Sequence, residues 1–223
     1  MGIHIGLLYE GIVRYMLHCF YYRNRDRRFE AMKQRLIVYA GAFSGLSLVL
    51  SLLIHFPLIP QAPFLLYDPG DVPILVVGFK FGPVLGLFVT AVVSILFAII
   101  TGQGGPWGAL MHILATGSYV LVAGVIYRSR HSFRGAVLAL IIAPLVMTGV
   151  MIGANLLVTP IYLGVPREAV VAMLLPAIIP FNLLKGVING AITLVVYKKL
   201  SGYLERSGQK VKEENDRVRA KIS

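Results

Sequence analysis

A chain of 223 residues is long enough for one soluble domain or a compact helix bundle, so length alone does not choose between water and lipid. Composition does. Hydrophobic residues make up 57%, charged residues 14%, and the mean hydropathy is +0.77, whereas a soluble globular chain carries about 25% charged residues. There is too little polar surface to coat a water-soluble particle. The net charge of +11 raises the prospect of a nucleic-acid partner, but the basic residues crowd the two ends and one internal loop, as in the cytoplasmic rim of an inner-membrane protein. No nucleic-acid partner is expected. Cys19, the only cysteine, cannot form an internal disulfide, and there is no metal-type Cys/His cluster. Packing between helices has to organise the fold, and no cofactor is expected.

Taken in order, residues 1–34 read as an amphipathic, basic extension. Glu10, Arg14 and His18 fall at intervals of four, a polar stripe on a helix whose other faces carry Leu7, Leu8, Ile12 and Leu17. Residues 3–22 are therefore expected to form an interfacial helix, with a functionless extension as the alternative. The same polar residues interrupt the apolar run that a cleavable signal peptide needs. Stretches long enough to cross a bilayer, roughly 20 residues, recur from Arg35 onward and place spans at about 35–55, 71–81, 83–100, 107–127, 135–159 and 174–198. The second and third are divided at Phe81-Gly82-Pro83, because proline cannot continue the helical hydrogen bonding and glycine relaxes the backbone.

Basic residues test that count. Arg23, Arg25, Arg27, Arg28, Lys33 and Arg35 precede the first span; Lys80 lies between the second and third; Arg128, Arg130 and Arg134 lie between the fourth and fifth; Lys198, Lys199 and Arg206 follow the sixth. The other loops, 56–70, 101–106 and 160–173, contain only Arg167. Six spans with both termini cytoplasmic satisfy the positive-inside rule at every loop. The expected fold is an all-α integral membrane protein, with a membrane domain over 35–200 and a polar cytoplasmic tail over 201–223. Loop 56–70 contains several prolines among apolar residues and reads as an ordered lid.

Ionisable groups inside apolar spans are costly and so point to sites. Lys185 stands in Ile179-Pro180-Phe181-Asn182-Leu183-Leu184-Lys185-Gly186, three residues after Asn182 and on the same helix face, near the external end of the last span. A lysine snorkelling to the interface is the alternative. Asn155 is a second amide near the external end of its span, either interhelical glue or part of a polar pocket for a heteroaromatic ligand. In Asp68-Pro69-Gly70-Asp71-Val72-Pro73, Asp71 reads as a helix N-cap, which leaves Asp68 freer to meet a ligand hydroxyl. Thr101-Gly102-Gln103-Gly104-Gly105 is a glycine-rich turn whose backbone can approach a flat ligand. Enzyme chemistry is absent: there is no Walker A loop, no rhomboid-type or metalloprotease motif, and His4, His18, His55, His112 and His131 are scattered. A self-sufficient secondary carrier needs an intramembrane carboxylate for coupling, and none is expected within the spans.

Three segments carry a resemblance: Asp68-Pro69-Gly70-Asp71-Val72-Pro73 with Gly78-Phe79-Lys80-Phe81-Gly82-Pro83-Val84; Asn155-Leu156-Leu157-Val158 with Pro160 and Gly164; and Ile179 to Gly186. Over about residues 35–205 the chain resembles the substrate-capture S components of energy-coupling factor (ECF) vitamin transporters, in the riboflavin-specific branch. That resemblance implies a multi-pass protein of a bacterial cytoplasmic membrane. It also implies an external riboflavin pocket capped by the loop after the first helix, and association with an energy module of one transmembrane subunit and two ATPase subunits. Asn155, Asn182 and Lys185 match positions that contact the isoalloxazine ring, Asp68 an acidic position near the ribityl side, and Gly104 a turn supplying backbone contacts. The chain departs from the family at Val93-Ser94, where a Lys-Asn pair is common, and at Leu66, where a threonine is; another vitamin is the alternative ligand. Ala40, Gly41, Ser44 and Gly45 put small residues four apart in the first span, a groove for another helix. The resemblance makes that helix part of the energy module; packing within the chain is the alternative.

Overall fold

The apolar stretches become helices because a bilayer leaves no water to satisfy backbone N–H and C=O groups, and a helix satisfies them within the segment. In a computed structural model, which describes residues 34–60 and 62–199, the helices are α1 (Gln34–Leu53), α2 (Asp71–Phe81), α3 (Pro83–Thr101), α4 (Gly105–Ser129) and α5 (Phe133–Leu163), and α6 (Arg167–Lys199). The expected interfacial helix over 3–22 and the tail over 201–223 lie outside the described residues. The chain divides into two compact units, residues 1–41 and 42–223. Of the first, only the opening turns of α1 are described.

Five of these helices, α1 and α3 to α6, are long and apolar enough to cross a membrane. The exception, α2, has 11 residues and so reaches roughly 16 Å, about half the hydrocarbon thickness. It ends where the sequence predicts, at Gly82, whose φ of 102° is open to glycine and strained for other residues. A second glycine sets its packing: a Cβ on Gly78 meets Val120 Cγ2 at 2.5 Å, so α2 and α4 can approach this closely only without one. Lipid is as apolar as leucine, so such close contact between small residues, rather than water exclusion, holds the helices together.

Two boundaries differ from expectation. Helix α5 runs through Pro160 to Leu163, and α6 begins at Arg167 instead of residue 174. The predicted loop 160–173 shrinks to residues 164–166, turned by Gly164 at φ 64°. Pro160 sits in the last turn, where one missing N–H interrupts little. Pro176 lies inside a π-helical stretch, Leu174–Ile178; with the N–H groups of Pro176 and Pro180 both missing, the backbone widens locally and the helix continues.

The loop after α1 is ordered. Phe56–Pro57 (β1) pairs antiparallel with Leu66–Tyr67 (β2), a small strand pair among described residues that are mostly helical. Ala62, Leu65 and Tyr67 are buried against Val170, Ala177, Ile178 and Phe181, which seats the loop on α6. At the opposite end of the bundle Tyr197 meets Phe79 and Tyr127 edge to face, Phe79 and Tyr127 lie tilted against each other, and the Tyr127 and Tyr197 hydroxyls hydrogen-bond each other.

Candidate ligand-binding site

Beneath the loop lies a cavity of about 480 Å³, within the roughly 300 to 1,000 Å³ of small-molecule sites. Its walls are the C-terminal parts of α3 and α5, the N-terminal part of α4, the middle of α6 and loop residues 63–66. Phe64, Phe97, Trp107, Tyr162 and Phe181 give it an aromatic lining. Asp68, Gly104, Asn155, Asn182 and Lys185, dispersed over more than a hundred positions of sequence, all line this one space.

The floor is an ion cluster. Helix α2 starts inside the bundle, so the positive end of its dipole and the carboxylates of Asp68 and Asp71 meet away from bulk water. Lys185 Nζ donates to Asp68 Oδ2 at 2.9 Å and stands 3.4 Å from Asp71 Oδ2. Lys185 is 4% exposed, so the snorkelling alternative does not hold. Asp68 Oδ1 accepts from Ser51 Oγ at 2.7 Å and from the Gly70 N–H at 3.0 Å. Asp71 Oδ1 accepts from Thr116 Oγ1 at 2.8 Å, and its Oδ2 from Asn189 Nδ2 at 3.1 Å. Asn189 Nδ2 also donates to the Asp68 carbonyl at 3.0 Å, while its oxygen accepts from the Tyr67 hydroxyl at 3.0 Å. Burial and the neighbouring carboxylates push the Tyr67 phenol above its ordinary value, which keeps it a donor. Loop, α1, α2, α4 and α6 are thereby tied at one point.

Two sequence expectations are corrected here. Asp71 is not an N-cap: it is the first residue of α2, Gly70 holds the cap position without a side-chain bond, and the Asp71 side chain is fully buried in the cluster. The local pattern of an acid before a proline is the same in both cases; what decides is Lys185, more than a hundred residues away. Nor is Asp68 free, since it is 7% exposed and already holds three donors. The chain accordingly does carry buried carboxylates inside the helix bundle, contrary to the expectation of none. Asp68, Asp71 and His112 place potential ligand atoms within 4.8 Å of one another, but the Lys185 ammonium occupies the position of a cation there, and a metal ion has to displace it.

The walls differ. Asn155 Nδ2 donates to the Met151 carbonyl at 2.8 Å and its oxygen accepts from Thr159 Oγ1 at 2.8 Å. Asn182 Nδ2 donates to the Ile178 carbonyl at 2.7 Å, and the residue lines the cavity. Each amide is fixed by its own helix and keeps hydrogen-bonding capacity in reserve. Gly104 caps α4 at φ 65°, and a Cβ there lies 2.7 Å from Gly108 Cα, so the turn exists in this form only with glycine.

Sequence reasoning missed Ser51, Ser94, His112, Thr116 and Asn189. The serines of α1 carried a legible signal, since Ser44, Ser47 and Ser51 repeat at helical spacing and all are buried. His112 looked scattered because its neighbours, Ser94 on α3 and the aspartates, are distant in sequence. Of the four small residues in α1, Ala40 and Ser44 are buried, at 6% and 8% exposure, whereas Gly41 and Gly45 have open space where a Cβ would stand. The outward line is therefore Gly41 and Gly45 alone.

Comparison with known proteins gives this site a family. Residues 35–197 match the model of the ECF transporter substrate-specific component. The chain belongs to that family. Its relatives include the riboflavin transporter RibU of Staphylococcus aureus, 32% identical over 82% of this chain and 99% of the relative. The riboflavin transporter FmnP of Bacillus subtilis is 27% identical over 78% of this chain and 96% of its own length. Among solved structures, one titled "Structure and mechanism of the S component of a bacterial ECF transporter" matches with a TM-score of 0.67 and 31% identity, covering 77% of this chain and 98% of that one.

Proposed function

We propose that this S component captures riboflavin from the external side of a bacterial cytoplasmic membrane and delivers it to an ATP-driven ECF module of one transmembrane and two ATPase subunits. The observation that carries the reading is the convergence of two fixed amides and a lysine on one aromatic-lined cavity, in a chain 32% identical to a riboflavin transporter. A flat heteroaromatic ligand with edge donors and acceptors fits such walls. Asn155 and Asn182 bind ring-edge groups, the third Lys185 N–H adds a charge-assisted bond, the Gly104 turn lets backbone approach the ring, and the remaining lone pair of Asp68 meets a ribityl hydroxyl. The chain is not an enzyme, and it needs its partners for energy because it has no phosphate-binding loop.

Six transmembrane helices with both termini cytoplasmic is the topology that fits. Lys80, Arg128, Arg130, Arg134 and Lys198 belong to the end away from the cavity and only Arg167 to the cavity end, which supports a cytoplasmic placement of the former. Helix α2 then enters from the cytoplasmic side and stops at mid-membrane, where the lid loop takes over. Gly41 and Gly45 form the outward line to which the energy module docks.

The test is purification of the chain in detergent without its partners, followed by extraction and chromatography of bound small molecules. Riboflavin at about one per chain supports the reading; a different vitamin in that place overturns the ligand assignment while leaving the family intact.

A further inference from the structure

We infer that His55 is a further ligand-binding residue of the cavity: its Nε2 accepts a hydrogen bond from a hydroxyl on the flexible chain of the ligand, and so helps the site prefer riboflavin over flavins that lack that chain.

Helix α1 ends at Leu53, and the last carbonyls of a helix have no backbone partner within it. The Leu50 carbonyl is met by the Ile54 N–H, while the Ser51 carbonyl lies 3.0 Å from His55 Nδ1. A carbonyl oxygen can only accept, so Nδ1 carries a proton and donates it. In the neutral imidazole the other nitrogen, Nε2, is then an acceptor. Phe97 of α3 holds the ring a second time, its centroid 6.0 Å away and its plane at 86°. His55 is half-buried and lines the cavity. Its Nε2 has no hydrogen-bond partner among the described residues and stays accessible, since the only side-chain nitrogen or oxygen there that is both buried and unpartnered is His112 Nε2.

The two wall amides are built in the same way. Asn155 and Asn182 each donate to the carbonyl four residues back in their own helix and keep accepting capacity on the side-chain oxygen. His55 repeats this from α1, with a ring nitrogen as the spare acceptor. Three helices thus bring an immobilised acceptor to one cavity. The neighbours of His55 select what it accepts. Ser51, which donates to Asp68, precedes it by four residues, roughly 6 Å of helical rise. This side of the cavity therefore offers acceptors, the Asp68 carboxylate and Nε2, and a chain of hydroxyls supplies donors to match. A flavin ring has a single N–H and cannot serve both this side and the amides of α5 and α6. The assignment to the ribityl chain rests on the riboflavin reading above.

The test titrates two flavins into the purified full chain: riboflavin, and lumiflavin, which has a methyl group in place of the ribityl chain. His55→Phe keeps a ring against Phe97 and removes both nitrogens. It is expected to bind riboflavin about three- to tenfold more weakly, as for loss of one neutral hydrogen bond, with lumiflavin affinity unchanged. His55→Asn retains an N–H near the Nδ1 position and has nothing at Nε2; the same selective loss is expected, with an unchanged ligand-free melting temperature. Equal weakening of both flavins in the two variants assigns His55 to capping α1 and overturns the contact, as does a riboflavin affinity that neither substitution alters. Failure of the unsubstituted chain to bind riboflavin overturns the ligand reading and this contact with it, whereas riboflavin binding that is undiminished in both variants overturns the contact alone.

Discussion

The floor and the walls of the cavity are both polar, yet they are built in opposite ways. In the floor, Asp68, Asp71 and Lys185 satisfy one another across three different elements. In the walls, Asn155 and Asn182 are each pinned to their own helix four residues back and reach across to nothing else. Groups that satisfy each other across elements hold shape; groups held still with capacity to spare are available to a ligand. Lys185 belongs to both sets, because two of its three N–H directions are spent on carboxylates and one is left.

The sharpest way to break that division is Lys185→Ala. It strands two buried carboxylates, which costs about 3 to 5 kcal/mol, so the ligand-free chain should melt far lower in a detergent thermal-shift assay. Riboflavin binding should also weaken roughly ten- to a hundredfold from loss of a charge-assisted hydrogen bond. A mutant that binds weakly yet melts normally would place Lys185 in the walls alone. Next in size is Gly104→Ala, which forces a side chain into φ 65° against Gly108. Strain of about 1 to 3 kcal/mol is expected, read as a melting temperature lowered by less than in Lys185→Ala, together with weaker riboflavin binding.

Asn182→Ala should do less, removing one hydrogen bond worth about 0.5 to 1.5 kcal/mol, or roughly a three- to tenfold loss of riboflavin affinity, with an unchanged ligand-free melting temperature. A large drop in melting temperature would show that the amide is structural and dissolve the contrast. The smallest effect on the purified chain is predicted for the double substitution of Gly41 and Gly45 with Leu. Both positions are open, so binding and stability should persist while uptake by cells carrying the whole transporter fails. If binding falls together with uptake, those glycines pack within the chain.

The helices were legible because hydropathy and the bilayer dictate them: α2 ends where Phe81-Gly82-Pro83 said it would, and α1, α3 and α4 agree with the sequence reading to within a few residues. The walls were legible too, since Asn155, Asn182 and Lys185 stand out as polar residues in apolar runs. The floor was not. Asp71 before Pro73 has the local look of a cap, and only its long-range partners Lys185, Asn189 and Thr116 reveal a buried anion. His112 carried no signal at all, because its meaning lies in Ser94 and the two aspartates converging from other elements. The proline at 176 misled in the other direction, since a π-helical turn absorbed the break that proline usually makes.

The claim on which all of this depends is that the cavity takes riboflavin without help. Titrating riboflavin into the purified, ligand-free chain, with no ATP and no partner subunits, and following flavin fluorescence tests it most directly. Saturable quenching that ends at about one flavin per chain is the predicted result. Unquenched fluorescence from a chain that is folded by its melting curve, and that another vitamin stabilises, would contradict it.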